Sequence, residues 1–173
     1  MFAGYIGDNT INTSLSSAGF TLDLEDIPSY GCYRMFRNTS VAKGPKFPNL
    51  KSIGDYGLAE AFRGCSSLSS VEIPSTSISV GLHGCEAAFS ESGIKEVENL
   101  NLSGIGPSGC KDMFSNCSSL TSVQDLHIDN SEDATKKTGI SRCNSMFLNC
   151  DSLLSVGGLI KGLYGQYSLR YMF

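Results

Sequence analysis

Hydrophobic residues recur along this chain in a unit of about 26 residues, which six phenylalanines mark. They are Phe36, Phe62, Phe89, Phe114, Phe147 and Phe173. Cys or Leu stands four residues before each Phe, and Met or Ala directly precedes it. Cys, Ser or Thr stands three residues after it wherever the chain continues. A fixed period of this length predicts one supersecondary unit that is stacked many times.

Within each unit, the pattern predicts a short helical turn followed by one short strand. Offsets of −4, −1, 0 and +3 from the Phe share one helical face, so residues 110–117 are expected to form a turn of helix with a buried stripe. The alternation in Val71-Glu72-Ile73 is typical of a half-buried strand, and residues 22–24, 100–102 and 126–128 repeat it. Strands that all run in one chain direction predict a parallel sheet, and stacking buries the apolar face of each unit.

The repeat predicts one domain over residues 1–173, with an irregular N-terminal unit at 1–31 and regular units at 32–173. Two departures interrupt it: an insertion at residues 41–48 and a long link at residues 129–142. Met1-Phe2 resembles the end of a preceding unit, and the last residues stop inside a unit. Since terminal repeats normally carry polar caps, we expect a fragment of a longer repeat protein.

Charge and hydropathy exclude two classes of partner. The net charge is −4, and no run of Lys and Arg occurs, which argues against nucleic-acid binding. No apolar stretch approaches the roughly 20 residues that a membrane-spanning helix needs, so no span is predicted in this segment.

The seven cysteines occupy two positions of the repeat. Four stand four residues before the Phe, and three stand three residues after it: Cys32, Cys85, Cys110 and Cys143, then Cys65, Cys117 and Cys150. Leu replaces the first type in sister units and Ser or Thr the second, which favours buried structural thiols. A disulfide and a metal site are the alternatives, although the seven-residue spacings do not suit zinc. No cofactor is expected.

Catalytic signals are weak, so we expect no enzyme. The chain has two histidines, His83 and His127, and no hydrolase, zinc-protease or phosphate-binding motif. Residues 129–138 of the link contain an acidic cluster, which is similar to a set of calcium ligands. The segment lacks, however, the Gly and the distal Glu of an EF-hand loop. We interpret this segment as a solvated loop.

Two units carry a family resemblance. Residues 61–68, Ala-Phe-Arg-Gly-Cys-Ser-Ser-Leu, and residues 113–120, Met-Phe-Ser-Asn-Cys-Ser-Ser-Leu, resemble the BspA-type leucine-rich repeats. The resemblance covers about residues 20–173. It implies an α/β repeat fold, a right-handed leucine-rich-repeat solenoid with one short parallel strand and one short helix or turn per unit. It also implies surface-exposed, adhesin-like proteins of bacteria, some protists and some of their viruses.

The outward strand positions supply a candidate binding surface, which we call the strand strip. Its residues are Asp23, Glu72, Asn101, Gln124 and His127. We expect a non-enzymatic adhesion module, extracellular or at the cell surface, that contacts a protein or glycan on a host or neighbouring cell. The alternative is a structural or receptor-binding component of a bacteriophage virion, in a tail or fibre, that contacts other virion subunits. A sheet face that contacts only water would show the same pattern of outward polar residues.

Overall fold

The computed structural model describes residues 20–130, 141–162 and 167–173. Among these residues nine strands occur, and every pairing between them is parallel. They are β1 (Asp26–Ile27), β2 (Lys43–Lys46), β3 (Ser52–Ile53), β4 (Ser70–Glu72), β5 (Ile78–Val80), β6 (Glu96–Glu98), β7 (Asn101–Ser103), β8 (Ser122–Asp129) and β9 (Ser155–Lys161). The predicted parallel-strand solenoid is confirmed.

Three circuits of the chain, here called coils, each contribute two strand segments and not the single strand that we predicted: β2 with β3, β4 with β5 and β6 with β7. In the next two coils, β8 and β9 are each one longer strand. The larger sheet has the order β1-β3-β5-β7-β8-β6, and β9 pairs with β8. Both β6 and β7 lie against β8, β6 on its first half and β7 on its second. Asn99 and Asp125 separate the two halves, and both have a left-handed backbone with φ of 55° and 53°.

Residues 41–48 belong to the stacked strands, which corrects our interpretation of them as an insertion, although the strand register shifts between Lys43 and Lys46. They contain β2, which pairs with β4 through Lys43 opposite Ser70 and Lys46 opposite Glu72. The strand predicted at residues 22–24 is not formed. The chain makes only an isolated bridge there, from Thr21 to Lys46, and the strand of this coil is β1.

The predicted helical turn is also absent, since the described residues contain no helix. Residues 108–117 form consecutive turns in which alternate N–H groups have different partners. Phe114 N–H donates to Met146 O of the next coil at 2.9 Å, whereas Ser115 N–H donates to Asp112 O of its own coil at 3.1 Å. Every fourth residue is left-handed, with φ of 54° at Asp112 and 59° at Asn116. We call this segment, repeated in every coil, the turn ladder.

The core is organised around the repeated phenylalanines. Their rings stack from coil to coil, from 5.3 Å between the centroids of Phe36 and Phe62 to 5.9 Å between those of Phe147 and Phe173. One cluster of buried apolar side chains extends from Ile27 to Met172. In the part of the chain that is described, no helix has the length and apolar character needed to cross a membrane.

Candidate binding surface

The structure brings two residues of the strand strip together. Asn101 of β7 lies directly opposite His127 of β8, so their side chains are neighbours on adjacent coils. His127 is exposed, while Asn101 is half-buried and its Nδ2 donates to the Ser75 carbonyl oxygen at 3.4 Å.

Two further strip residues lie in the other strand segment of their coils. Glu72 ends β4 and forms an ion pair with Lys46, with 2.7 Å between Oε1 and Nζ. Gln124 lies in the first half of β8, opposite Glu98. Both side chains are exposed. The left-handed residue Asp125 separates Gln124 from His127, so the two rows meet at a bend and are not one flat surface.

Asp23 lies outside the strands, three residues before β1. Its Oδ1 accepts a hydrogen bond of 2.7 Å from Nδ2 of Asn49, and the side chain is exposed. The predicted strip therefore occupies three places in the fold: one row on each strand ladder, and Asp23 beside them.

On the turn ladder, charged side chains compensate one another across coils. Glu60, whose side chain is 16% exposed, contacts Arg34 at 2.8 Å, Arg37 at 2.9 Å and Arg63 at 3.6 Å. Arg63 also contacts Glu91 of the following coil at 2.9 Å. This network connects three coils, and its charges are largely neutralised within the molecule.

A second aromatic row runs along the outside of the turn ladder. Tyr30, Tyr56 and His83 each stand six residues before a repeat Phe. Their rings are nearly parallel, with centroids 5.0 Å and 4.7 Å apart. Tyr33 packs edge-on against Tyr30 at 5.8 Å. Our sequence analysis missed this row, although comparing residues at the same offset from the Phe would have found it.

Glu86 holds the ring of His83 in place. Its Nδ1 lies 2.6 Å from Oε2 of Glu86, and Oε1 of Glu86 lies 3.1 Å from Nζ of Lys111. Glu86 thereby orients the imidazole and leaves Nε2 as the second hydrogen-bonding atom of the ring.

All seven cysteines are free and buried, as predicted. The thiols of the second position donate to a Phe carbonyl of the preceding coil: Cys65 to Phe36 at 2.9 Å, Cys117 to Phe89 at 3.0 Å and Cys150 to Phe114 at 3.1 Å. Burial raises the pKa of Cys150 to about 11. Among the described residues, no group of three or more His, Cys, Asp or Glu side chains could hold a metal ion.

The two ends of the link at residues 129–142 are joined to the same residue. Oδ1 of buried Asn130 accepts the Ile105 N–H at 2.6 Å, and Nε of buried Arg142 donates to the Ile105 carbonyl at 2.8 Å. Both side chains thus bond to the backbone of Ile105, one from each end of the link. Residues 131–140, which carry most of the acidic segment considered as a calcium site, lie outside the described residues.

Comparisons of the chain with protein-family models, with curated proteins and with solved structures found no match.

Proposed function

We propose that this chain is a non-enzymatic binding module of a microbial surface protein, which recognises a protein or glycan on another cell. The observation that carries the proposal is the register of Asn101 with His127 and of Glu98 with Gln124 on neighbouring coils. Parallel stacking places such outward residues in continuous polar rows, and extended surfaces of this kind are how solenoid proteins bind partners.

The family assignment is part of the same proposal. The repeated Phe, the buried Cys three residues after it and the stacked parallel strands support a BspA-type leucine-rich repeat. Right-handed winding is the general rule for parallel crossover connections, and we propose it here. Turns take the place of the helix in the described coils, so the α/β character of the family is not part of the proposal.

Binding to cells tests the role of the strand strip. The double variant Glu72→Ala/Asn101→Ala removes one residue from each strand row. Glu91→Gly/Asn149→Gly is the matched control, because it removes the same two residue types from the turn ladder and Gly accepts the positive φ of both positions. We expect wild type and control to bind alike to fluorescently stained animal, bacterial or protist cells in flow cytometry, and the strip variant to bind at least tenfold more weakly. Undiminished binding of the strip variant would refute the proposal that the strand strip binds the partner.

A virion component is the second candidate, and the apolar surface of the β9 coil favours it. Leu154 is 89% exposed, Phe173 69% and Leu159 48%. A contact with another subunit would bury these side chains. Top-down mass spectrometry of the protein from its source separates the candidates. A processed signal peptide with a wall or membrane anchor supports the adhesin, and co-purification at fixed stoichiometry with capsid or tail proteins supports the virion.

A further inference from the structure

The aromatic row on the turn ladder is a partly exposed surface that the strand strip does not include. We call Tyr30, Tyr33, Tyr56 and His83 the tyrosine row. Tyr30 is 59% exposed and Tyr33 36%, although large aromatic side chains are usually well buried. The ring positions are fixed by the coil spacing and by stacking, so a ligand would meet a preorganised surface at little entropic cost.

The near-parallel rings of the row are offset sideways, so that neighbouring rings do not cover each other completely. Tyr30 and Tyr56 lie within 7° of parallel, with centroids 5.0 Å apart. Because parallel rings in contact lie only about 3.5–4.0 Å apart, this separation requires a sideways slip of about 3 Å. The row therefore presents narrow strips of apolar ring face, each ending in a phenol hydroxyl or an imidazole nitrogen.

Polar and charged groups border the row closely on both sides. Asp55 is exposed, and its Oδ1 accepts the Leu82 N–H at 2.8 Å. Glu86 holds His83, and Arg34 lies over the Tyr33 ring at 4.8 Å. The carboxylates of Asp55 and Glu86 beside the rings disfavour the core of a protein interface, which is depleted of Asp and Glu. One line of ring faces with hydrogen-bonding groups at its edges fits a sugar chain, whose C–H faces and hydroxyls alternate.

We propose that the tyrosine row binds an extended, uncharged polysaccharide that lies along the solenoid axis. Successive sugars would pack on successive ring faces, and their hydroxyls would bond to the tyrosine hydroxyls, His83 Nε2 and Asp55. The carboxylates of Asp55 and Glu86 disfavour an anionic chain. Burial, reinforced by Tyr30 and by Glu86 and Asp55, raises the pKa of Tyr56, so its hydroxyl stays protonated and can donate. The inference rests on the proposed function only in that both describe a binding module, since the two surfaces are separate.

The experiment measures binding of cellohexaose and chitohexaose by calorimetry and by tyrosine fluorescence, which is the intrinsic signal because the chain has no tryptophan. Tyr30→Asn/Tyr56→Asn removes two rings but suits the backbone, since both residues have positive φ and Asn tolerates it. Tyr171→Asn is the matched control, an exposed tyrosine with φ of 51° outside the row. We expect at least tenfold weaker binding of one hexasaccharide by the double variant, with unchanged binding by the control and by Glu72→Ala/Asn101→Ala.

Three results would overturn the proposal: no binding of either hexasaccharide by wild type at millimolar concentration, equal binding by the double variant, or a protein ligand that needs Tyr30 and Tyr56 while neither sugar binds. Thermal unfolding of each variant verifies that lost binding does not reflect lost folding. Loss of hexasaccharide binding in the strip variant alone would also count against a separate site. Failure here leaves the cell-binding test of the strand strip unaffected.

Discussion

The ring of Phe114 lies parallel to that of Phe89, with centroids 5.4 Å apart and planes 9° apart. Phe147 covers its other face at 5.6 Å, and Phe114 is fully buried. Each coil thus supplies one ring that completes the packing of two neighbours, which is why the period is so strict in the sequence.

We therefore expect Phe114→Ala to destabilise the protein by about 3–5 kcal/mol, because it removes a buried aromatic ring and leaves a cavity. Phe173→Ala is the comparison, since the same residue at the last coil stacks on one side only and is 69% exposed. It should cost about 1 kcal/mol or less. Urea unfolding of both variants measures the difference, and similar costs would contradict the stacked core.

Asn130→Ala should destabilise the protein by about 1–3 kcal/mol, because it leaves the buried Ile105 N–H without its acceptor. Asn149→Gly is a suitable control, because Gly accepts the left-handed backbone at this position, where φ is 58°. Nδ2 of Asn149 donates to Asn116 Oδ1 at 2.9 Å in an exposed pair, where water replaces the lost partner. Chemical denaturation of the two variants distinguishes them, and an equal, small effect would show that Asn130 does not secure the link.

Stability should fall in alkaline solution, in part through Cys150. An unfolded thiol ionises near a pKa of about 8.5, whereas burial raises the pKa of Cys150 in the folded protein to about 11. The folded state therefore holds a proton that the unfolded chain releases between these values. The contribution of the Cys150 thiol to the free energy of unfolding is fully present below about pH 8.5 and is lost as the pH rises toward about 11.

Cys150→Ser isolates this effect, because Ser or Thr occupies the same repeat position at Ser92 and Thr39. We expect the stability difference between wild type and variant to shrink from pH 8 to pH 11 in denaturant titrations. A difference that stays constant over this range would contradict the assignment.

Much of the fold follows from the sequence, because in-register stacking imposes a period that the chain shows directly. The Phe row, the parallel direction and the buried cysteines were all predicted from it. The backbone conformation between these features was not predicted. A stripe of positions at −4, −1, 0 and +3 fits a helix of 3.6 residues per turn and a four-residue turn ladder equally well over eight residues.

A residue preference at one position of the repeat would have distinguished the turn ladder from a helix. Two residues after the Phe, four of five units carry Asn or Gly, at Asn38, Gly64, Asn116 and Asn149, and the fifth carries Glu91. Asn and Gly are the residues that most readily accept a positive φ, and the structure has φ of 57° at Asn38 and 72° at Gly64. The outward rows were harder to anticipate, since the bend at Asn99 and Asp125 depends on the register of two neighbouring coils.

Left-handed turns, repeated coil by coil, form the face that carries the tyrosine row and the charge network. Asn116 tests this arrangement most directly, since it is exposed and lies inside the segment that the sequence pattern predicts as helix. Asn116→Gly and Asn116→Ala lose the same contact with Asn149, so the comparison between them isolates the backbone.

Urea unfolding of the two variants is the decisive measurement. With φ of 59° at this position, the Gly variant should be more stable than the Ala variant by about 1 kcal/mol, because a Cβ disfavours the left-handed region. A helix would reverse the order by a similar amount, since Ala is the better helix former by about 1 kcal/mol. A more stable Ala variant would contradict the turn ladder and the surface built on it.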